Sequence, residues 1–352
     1  MLSNSGSWGR CERLAYASIM TEGFKHLRIC WGYLLFVLVM SAHGEEPVHQ
    51  VTGEAMGMKW SVKWVGDLDE AKVKSETAAL LADIEKQMST YRADSEISRF
   101  NVSRSTDWFP VSTNLVAAVS ASLEIAGRSE GALDPTVFPL VQAWGFGPVR
   151  RVGQMPTVTE SSIARVKVGY TNVQARLSPP AVRKLRPYIS IDVSAVAMGL
   201  AADLVKARLL QLGSTNFLID MGGEFAAVGD GPAGQGWPVG IELPGSNGER
   251  IQRVVTLRNQ CLATSGDDRN FREINGKRYH HIIDPRTGWP AEQQVASATL
   301  IHESCLLADG WATAMIVLGA KRGLDIARRD ALEVFLITRE GDRYREQTTR
   351  KD

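Results

Sequence analysis

The change of pattern after Gly213 restricts the possible folds more than any other feature of the sequence. Residues 195–212 have the spacing of a helix, which the glycine ends. Short strand-like runs follow at residues 217–220, 224–228, 239–243 and 253–257. Further along the chain, Asn275-Gly276 lies between two more strand-like runs and is a strong signal for a two-residue hairpin. Helices mixed with adjacent hairpins predict an α+β fold with mixed or antiparallel sheets and packed helices.

Other periodicities complete this outline. Residues 58–64 alternate like a strand, and apolar residues at helical spacing follow up to Met88. Ser112 and Thr113 are good N-caps for a further helix. Residues 188–193 look like a buried strand, and a last helix at 307–318 precedes a strand at 334–337. With 44% hydrophobic residues, the chain can bury a large core, and we expect residues 45–352 to form one compact unit, undivided or with two lobes.

The first 44 residues read as an export signal. The basic residues Lys25, His26 and Arg28 precede an apolar run at 29–40, and small residues at 42–44 then offer a cleavage site. The apolar run is shorter than the about 20 residues that span a bilayer. We therefore predict a signal peptide over residues 1–44, with Met20 as the true start, and a periplasmic protein. An uncleaved anchor would leave the same domain on the outer face of the inner membrane.

Charge and cysteine content exclude other classes of protein. The formal net charge is +1 and no basic stripe carries interleaved aromatic residues, so we expect no nucleic-acid partner. Walker loops and dinucleotide glycine fingerprints are also missing from the sequence. Beyond the leader only Cys261 and Cys305 remain, which is too few for a disulfide framework, so we expect both to be buried as small hydrophobic residues.

Five stretches contain more Gly, Asp, Ser, Thr and Pro than structure alone requires. They are MSTYRADSEISRFN, GALDPTVFPLVQAWGFGP, ISIDVSAVAMGLAAD, DMGGEF, and the run from ATSGDDRNF through HHIIDPRTGWP to LADGWATA. Each alone is weak, because Asp-Pro-Thr and Asp-Pro-Arg-Thr-Gly are first of all turn sequences. In this order, from about residue 56 to residue 319, they resemble the FAD:protein FMN transferase family, often called ApbE.

That resemblance implies an exported α+β enzyme that binds FAD as substrate, uses Mg²⁺, and attaches FMN to a threonine of another protein through a phosphoester bond. The family's usual acceptors are subunits or domains of membrane redox complexes. The resemblance assigns catalysis to His281 and Asp284, and metal ligation to the Ala195 carbonyl, Asp309 and Thr313. It assigns cofactor contacts to Met56, Tyr91, Ala132, Leu133, Asp134, Asp192, Met198 and Ile283.

The chemistry of the metal residues agrees with this assignment. A pyrophosphate becomes a good electrophile once a hard cation with oxygen ligands neutralises its charge. Asp309 and Thr313 are spaced i, i+4 at the start of a predicted helix, so their oxygens face the same side. The alternative is a carboxylate that favours the helix N-terminus, with a core threonine one turn later.

A histidine in the DPRTG segment is the candidate base. His281 could take the proton of an attacking threonine hydroxyl, because an imidazole titrates near neutral pH. The alternative is a strand histidine with a structural hydrogen bond. His280 would point to the opposite face of the same strand and is the weaker candidate.

Met198 departs from the family pattern, because relatives usually have lysine or another polar residue there. We expect a polar contact to FAD to be missing and FAD to bind more weakly. Met198 therefore favours one alternative, a periplasmic protein that binds or delivers FAD without transfer. A second alternative is a pyrophosphatase with the same metal site, in which water attacks and gives FMN and AMP.

Overall fold

A computed structural model of the chain describes residues 47–149, 154–246, 248–268, 270–292, 294–341 and 343–350. The predicted signal peptide and Met20 lie outside these ranges. The helices are α1 (Glu70–Met88), α2 (Glu96–Val102), α3 (Thr113–Arg128), α4 (Phe138–Ala143), α5 (Val158–Arg165), α6 (Ser194–Gln211) and α7 (Cys305–Arg329). The strands are β1 (Val48–Ala55), β2 (Met58–Val65), β3 (Phe109–Pro110), β4 (Val173–Arg176), β5 (Ala181–Lys184), β6 (Phe217–Asp220), β7 (Phe225–Val228), β8 (Trp237–Glu242), β9 (Ile251–Leu257), β10 (Gln260–Gly266), β11 (Phe271–Ile274), β12 (Lys277–His280), β13 (Ile283–Asp284), β14 (Trp289–Pro290), β15 (Val295–His302), β16 (Glu333–Glu340) and β17 (Arg343–Thr348).

The frame of the molecule is an eight-stranded sheet in the order β1-β2-β6-β7-β10-β15-β16-β17. Every pairing in it is antiparallel. A three-stranded sheet, β3-β5-β4, and three hairpins, β8-β9, β11-β12 and β13-β14, lie outside this sheet. The predicted α+β class with antiparallel sheets is confirmed.

Both faces of the large sheet are covered. One face carries α1, α3, α6 and α7, whose buried residues form two continuous apolar clusters with the strands. The other face is covered by the β8-β9 hairpin, where Trp237, Val239 and Leu257 pack on Leu218 and Phe335. Helices α6 and α7 lie against each other across the first face, and this contact builds the site described below.

Most of the predicted elements are present. Helix α3 starts after Ser112, whose side chain accepts a hydrogen bond from the Leu115 amide. Asn275 and Gly276 connect β11 and β12 with positive φ angles of 53° and 73°. The last predicted helix ends where Gly319 departs from helical geometry, and a further helical segment follows it within α7. No helix in the described ranges is long and apolar enough to cross a membrane.

The predicted strand at residues 188–193 is wrong, because this segment is an irregular buried loop. Side chains replace the hydrogen bonds that a neighbouring strand would supply. The Asn101 amide donates to the Ile191 carbonyl at 2.8 Å, and its oxygen accepts from the Ile191 amide at 2.7 Å. The Lys184 ammonium donates to the Ile189 carbonyl at 2.6 Å. Buried isoleucines at alternate positions therefore imitate a strand in the sequence.

The prediction for Cys261 and Cys305 is also wrong in part. Both residues are fully buried, as expected, but they form a disulfide between the start of β10 and the start of α7. Asp203 of α6 lies beside them, and its carboxylate accepts hydrogen bonds from the Ser304 hydroxyl and the Leu306 amide. The first turn of α7 is thus held by a covalent bond and by a carboxylate of α6.

Removal of the disulfide in the double variant Cys261→Ala/Cys305→Ala should lower thermal stability. The bond closes a loop of 44 residues, and closing a loop of that size stabilises a protein by about 2–4 kcal/mol. We expect the melting temperature, measured by circular dichroism, to fall by roughly 5–10 °C. The wild-type protein without reductant is the reference. An unchanged melting temperature would mean that the two sulfurs are not bonded in solution.

Candidate functional site

A cleft of about 400 Å³ lies where the N-terminal halves of α6 and α7 meet the end of β10. Its volume is within the range of ordinary ligand sites. The loop 132–137, the turn after β12 and the turn between β6 and β7 complete its walls. Among the predicted site residues, those that line it are Tyr91, Ala132, Leu133, Asp134, Asp192, Ala195, Met198, His281, Ile283, Asp309 and Thr313.

The contact between α6 and α7 depends on Gly199. A Cβ atom added there would overlap the Cys305 carbonyl group and lie 2.8 Å from the Cβ of Asp309. Because glycine has no side chain, the two helices approach closely, and the Gly199 amide donates to Oδ2 of Asp309 at 2.9 Å. The side chain of α7 that was predicted to bind metal is therefore anchored to the backbone of α6.

Asp309 is almost completely buried. Burial raises the pKa of Asp309 to about 7, against the opposing effect of hydrogen bonds from the Gly199 and Met198 amides. None of the described lysine or arginine side chains pairs with it. A carboxylate in this environment is stabilised by a cation, and a bound divalent ion would supply that charge.

Three candidate metal ligands belong to residues that line this cleft. Besides the Asp309 carboxylate, Thr313 has a hydroxyl that lies 3.0 Å from the Ser265 hydroxyl, and Ala195, whose carbonyl is the third candidate, lines the cleft in the first turn of α6. Carboxylate, hydroxyl and carbonyl oxygens are the ligands that hard cations such as Mg²⁺ prefer. The residues present therefore fit the metal that the resemblance implies.

The charge of the cleft also favours a bound metal ion. Its described lining includes four acidic residues, Asp134, Asp192, Glu224 and Asp309, and neither lysine nor arginine. A doubly charged pyrophosphate placed there would be repelled, unless a cation entered with it. Burial raises the pKa of both Asp134 and Asp192, which reduces this negative charge only in part.

Hydrogen bonds fix the backbone that forms the loop wall. One oxygen of Asp134 accepts from the amide and the hydroxyl of Thr136, and the other accepts from the Tyr170 amide at 2.9 Å. The Asp192 amide donates to the Pro135 carbonyl at 2.7 Å. These bonds join the segments around residues 134 and 192, so the cleft has a preformed wall.

Tyr91 contributes an exposed aromatic ring to the lining of the cleft. Its side chain is 65% exposed, and its hydroxyl donates to the Phe146 carbonyl at 2.8 Å. An exposed aromatic ring can stack on a planar ligand. Phe146 also lies edge-on to the His281 ring, with 6.4 Å between the ring centres.

His281 follows directly after β12 and lines the cleft. Its Nδ1 lies 3.0 Å from the Asn270 carbonyl, which can only accept, so Nδ1 carries the proton and Nε2 is left as the basic atom. Burial lowers the pKa of His281 and keeps the ring neutral near pH 7. His280 is buried beneath, with Nε2 2.9 Å from the Ala291 carbonyl.

Two predicted residues are placed outside the lining. The Asp284 carboxylate accepts three hydrogen bonds from Arg286, from its amide and its guanidinium group, and so holds the turn between β13 and β14. Met56 lies in the β1-β2 turn with a φ of 54°, while Met58, two residues later, lines the cleft beside Gly222.

Sequence reasoning also missed polar residues at the end of β10. Thr264 and Ser265 line the cleft, and the Ser265 hydroxyl contacts that of Thr313. The sequence pattern that could have predicted them lies in the segment ATSGDDRNF, where small polar residues follow the apolar part of the strand.

Comparison with known proteins agrees with the resemblance. The model of the ApbE family matches residues 56–336. A protein named FAD:protein FMN transferase from Vibrio cholerae is 36% identical over 321 residues, which cover 90% of this chain and 96% of that protein. A protein of the same name from Salmonella typhimurium is 36% identical over 305 residues, which cover 85% of this chain and 87% of its own length. The solved structure of the flavin transferase ApbE from Vibrio cholerae superposes with a TM-score of 0.79 at 36% identity and covers 86% of this chain and 97% of that one.

Proposed function

Because the chain belongs to the ApbE family and is an FAD:protein FMN transferase, we propose that it uses Mg²⁺ to split FAD and attaches the FMN half to a threonine of an acceptor protein. AMP is the second product. The observation that carries the metal dependence is the cleft itself, whose described lining offers four carboxylates and neither lysine nor arginine to a pyrophosphate.

Asp309, Thr313 and the Ala195 carbonyl would hold the metal ion. When bound, Mg²⁺ neutralises the charge of the pyrophosphate and makes its phosphorus a better electrophile. The protein's own contribution is to hold the metal-binding side chains in place. Gly199 anchors Asp309 at 2.9 Å, and Ser265 orients the hydroxyl of Thr313 at 3.0 Å.

In the proposed transfer step the threonine hydroxyl attacks the phosphorus of the FMN half. A new oxygen–phosphorus bond forms, and the bond from that phosphorus to the bridging oxygen breaks, so that AMP leaves with the bridging oxygen. The proton of the hydroxyl passes to Nε2 of His281, which is free because Nδ1 is bound to the Asn270 carbonyl. Tyr91 and the wall around Asp134 and Asp192 hold the flavin nucleotide in place.

The direct test is to incubate the pure protein with FAD, Mg²⁺ and candidate acceptor domains, and then to weigh the products by mass spectrometry. Transfer adds the mass of FMN less water to the acceptor and releases AMP. FMN and AMP without a labelled acceptor would support the pyrophosphatase, and unchanged FAD would support a binding or delivery protein. Met198 in the cleft motivates the last alternative, since it offers an apolar side chain where a polar contact is expected.

Substitution of His281 by alanine should slow transfer by about a hundredfold, the usual contribution of a general base. FAD binding should persist, because the ring contacts the Asn270 carbonyl and Phe146 and does not support the wall around Asp134. The measurements are the single-turnover rate of acceptor labelling and the quenching of FAD fluorescence. His49→Ala is the matched control, since this histidine pairs with Glu70 on the surface. A rate within a few-fold of the wild type would assign His281 a structural role.

We also propose that the protein works in the periplasm, or on the outer face of the inner membrane, with a redox-complex subunit or domain as acceptor. The Cys261–Cys305 disulfide supports this proposal, because such bonds persist in oxidising compartments. Fusion of residues 20–50 to a reporter that is active only outside the cytoplasm tests it. A silent reporter beside an active cytoplasmic one would contradict export.

A further inference from the structure

A second concave surface, which we call the α4 groove, lies on the other side of α4 from the cleft. It has a volume of about 600 Å³ and is formed by α4, α5, residues 101–104 and residues 187–190. Val137 and Val141 face the cleft, while Phe138 and Gln142 line the groove. A helix is about 10 Å across, so a molecule seated in the α4 groove lies one helix diameter from the cleft.

One wall of this groove is rigid. Lys184 is fully buried beneath it, and its ammonium group donates to the carbonyls of Phe100 at 2.9 Å, Ser103 at 3.2 Å and Ile189 at 2.6 Å. Asn101 forms its two hydrogen bonds to Ile191 in the same wall. The segments around residues 101–104 and 187–190 are thus held together without any ligand, which lowers the entropic cost of binding.

The groove exposes apolar surface in this rigid frame. Val102, at the end of α2, is 77% exposed, and Ile163, in α5, is 53% exposed, and both line the groove. Val149 and Tyr188 add further exposed apolar surface. A concavity lined by exposed apolar residues can take up an apolar side chain of a partner.

The charge of the groove selects the kind of partner. Arg104 and Lys167 line it, and Glu160, the one acidic residue in its described lining, already accepts hydrogen bonds from Thr157 at the start of α5. Residues 161–191 contain six lysines and arginines and no acidic residue, and of these six Lys167 lines the groove while Lys184 is buried beneath it.

We propose that the α4 groove docks the acceptor protein, through an acidic segment of the acceptor that carries an apolar side chain. This inference rests on the proposed transferase function, which requires a protein to bring a hydroxyl into the cleft. Docking one helix diameter away fixes the acceptor while a neighbouring loop of it enters the cleft. Cations at the groove raise the rate of encounter with an acidic partner.

The test uses the acceptor domain from the same genome that the wild-type protein labels fastest, and a peptide of about five residues centred on its modified threonine. The two residues on each side of the threonine extend at most about 7 Å, so the peptide reaches the cleft but does not reach the groove one helix diameter away. The variants are Arg104→Glu/Lys167→Glu and, separately, Ile163→Asp. A control with the same change of charge is Lys74→Glu/Lys321→Glu, at two exposed lysines outside both the cleft and the α4 groove.

We expect both groove variants to raise KM for the acceptor domain by about tenfold or more, with kcat, FAD binding and peptide labelling unchanged. Salt should raise the KM of the wild type, because it screens the attraction to the acidic segment, and lower the KM of the charge-reversed variant, because it screens a repulsion. The proposal would be overturned if the groove variants had an unchanged KM for the acceptor domain. It would also be overturned if these variants lost labelling activity equally with the domain and with the peptide. If the groove variants lost binding to phosphatidylglycerol vesicles while their KM for the acceptor domain stayed unchanged, the α4 groove would be a membrane contact and the proposal would be overturned. If the wild-type protein labels no acceptor, the proposed function itself fails.

Discussion

Replacement of Asp309 by asparagine should reduce the rate of FMN transfer by about a thousandfold, because a metal ion contributes several kcal/mol to the stabilisation of a charged transition state. Asparagine keeps the size of the side chain and an oxygen that can accept from the Gly199 amide at its present 2.9 Å. It removes the negative charge and turns one of the two acceptor oxygens into an NH2 group, in a cleft whose described lining has no lysine or arginine to hold the pyrophosphate. High Mg²⁺ or Mn²⁺ should restore part of the rate.

A second measurement separates loss of the metal from loss of the fold. The melting temperature of Asp309→Asn without metal should equal or exceed that of the wild type, since a neutral amide costs less to bury than a carboxylate. The rise in melting temperature that Mg²⁺ gives the wild type should disappear. Asp325→Asn is the matched control, because it changes an exposed residue of the same helix. An unchanged response to Mg²⁺ in Asp309→Asn would place the metal elsewhere.

The resemblance named the site residues, and local periodicity predicted how those on helix α7 are oriented. Asp309 and Thr313 face one side because both belong to one α-helix, and that relation depends only on the four-residue spacing. Turn sequences placed Asp134 and the Asn275-Gly276 hairpin for the same local reason. In these segments the conformation is decided by neighbours in the chain.

Features that depend on distant residues could not be predicted in this way. The loop 188–193 takes its hydrogen bonds from Asn101 and Lys184, and nothing within the loop shows that those partners exist. The Cys261–Cys305 bond joins residues 44 positions apart, whose approach depends on how β10 packs on α7. The placement of Met58 in the cleft instead of Met56 depends on where the β1-β2 turn falls.

Gly199→Ala should damage both stability and activity, although helix propensity alone predicts the opposite. Alanine in the interior of an exposed helix stabilises it by about 1 kcal/mol relative to glycine. At position 199 the added methyl group would overlap the backbone carbonyl of Cys305, which cannot rotate away as a side chain could. Overpacking of this kind costs about 1–3 kcal/mol. The disulfide and Asp203 hold the first turn of α7, so the strain falls on the contact between the two helices.

That contact carries the Asp309 anchor, so Gly199→Ala should also lower the transfer rate by about a hundredfold, the effect of a displacement of roughly 1 Å at a reacting centre. Gly127→Ala in α3 is the matched control, because a Cβ there meets no atom within 4 Å. It should raise the melting temperature slightly and leave transfer unchanged. If both variants behave alike, the close approach of α6 and α7 is unimportant for Asp309. If only Gly199→Ala lowers the transfer rate and weakens the response of the melting temperature to Mg²⁺, the metal site depends on the close helix contact that Gly199 allows.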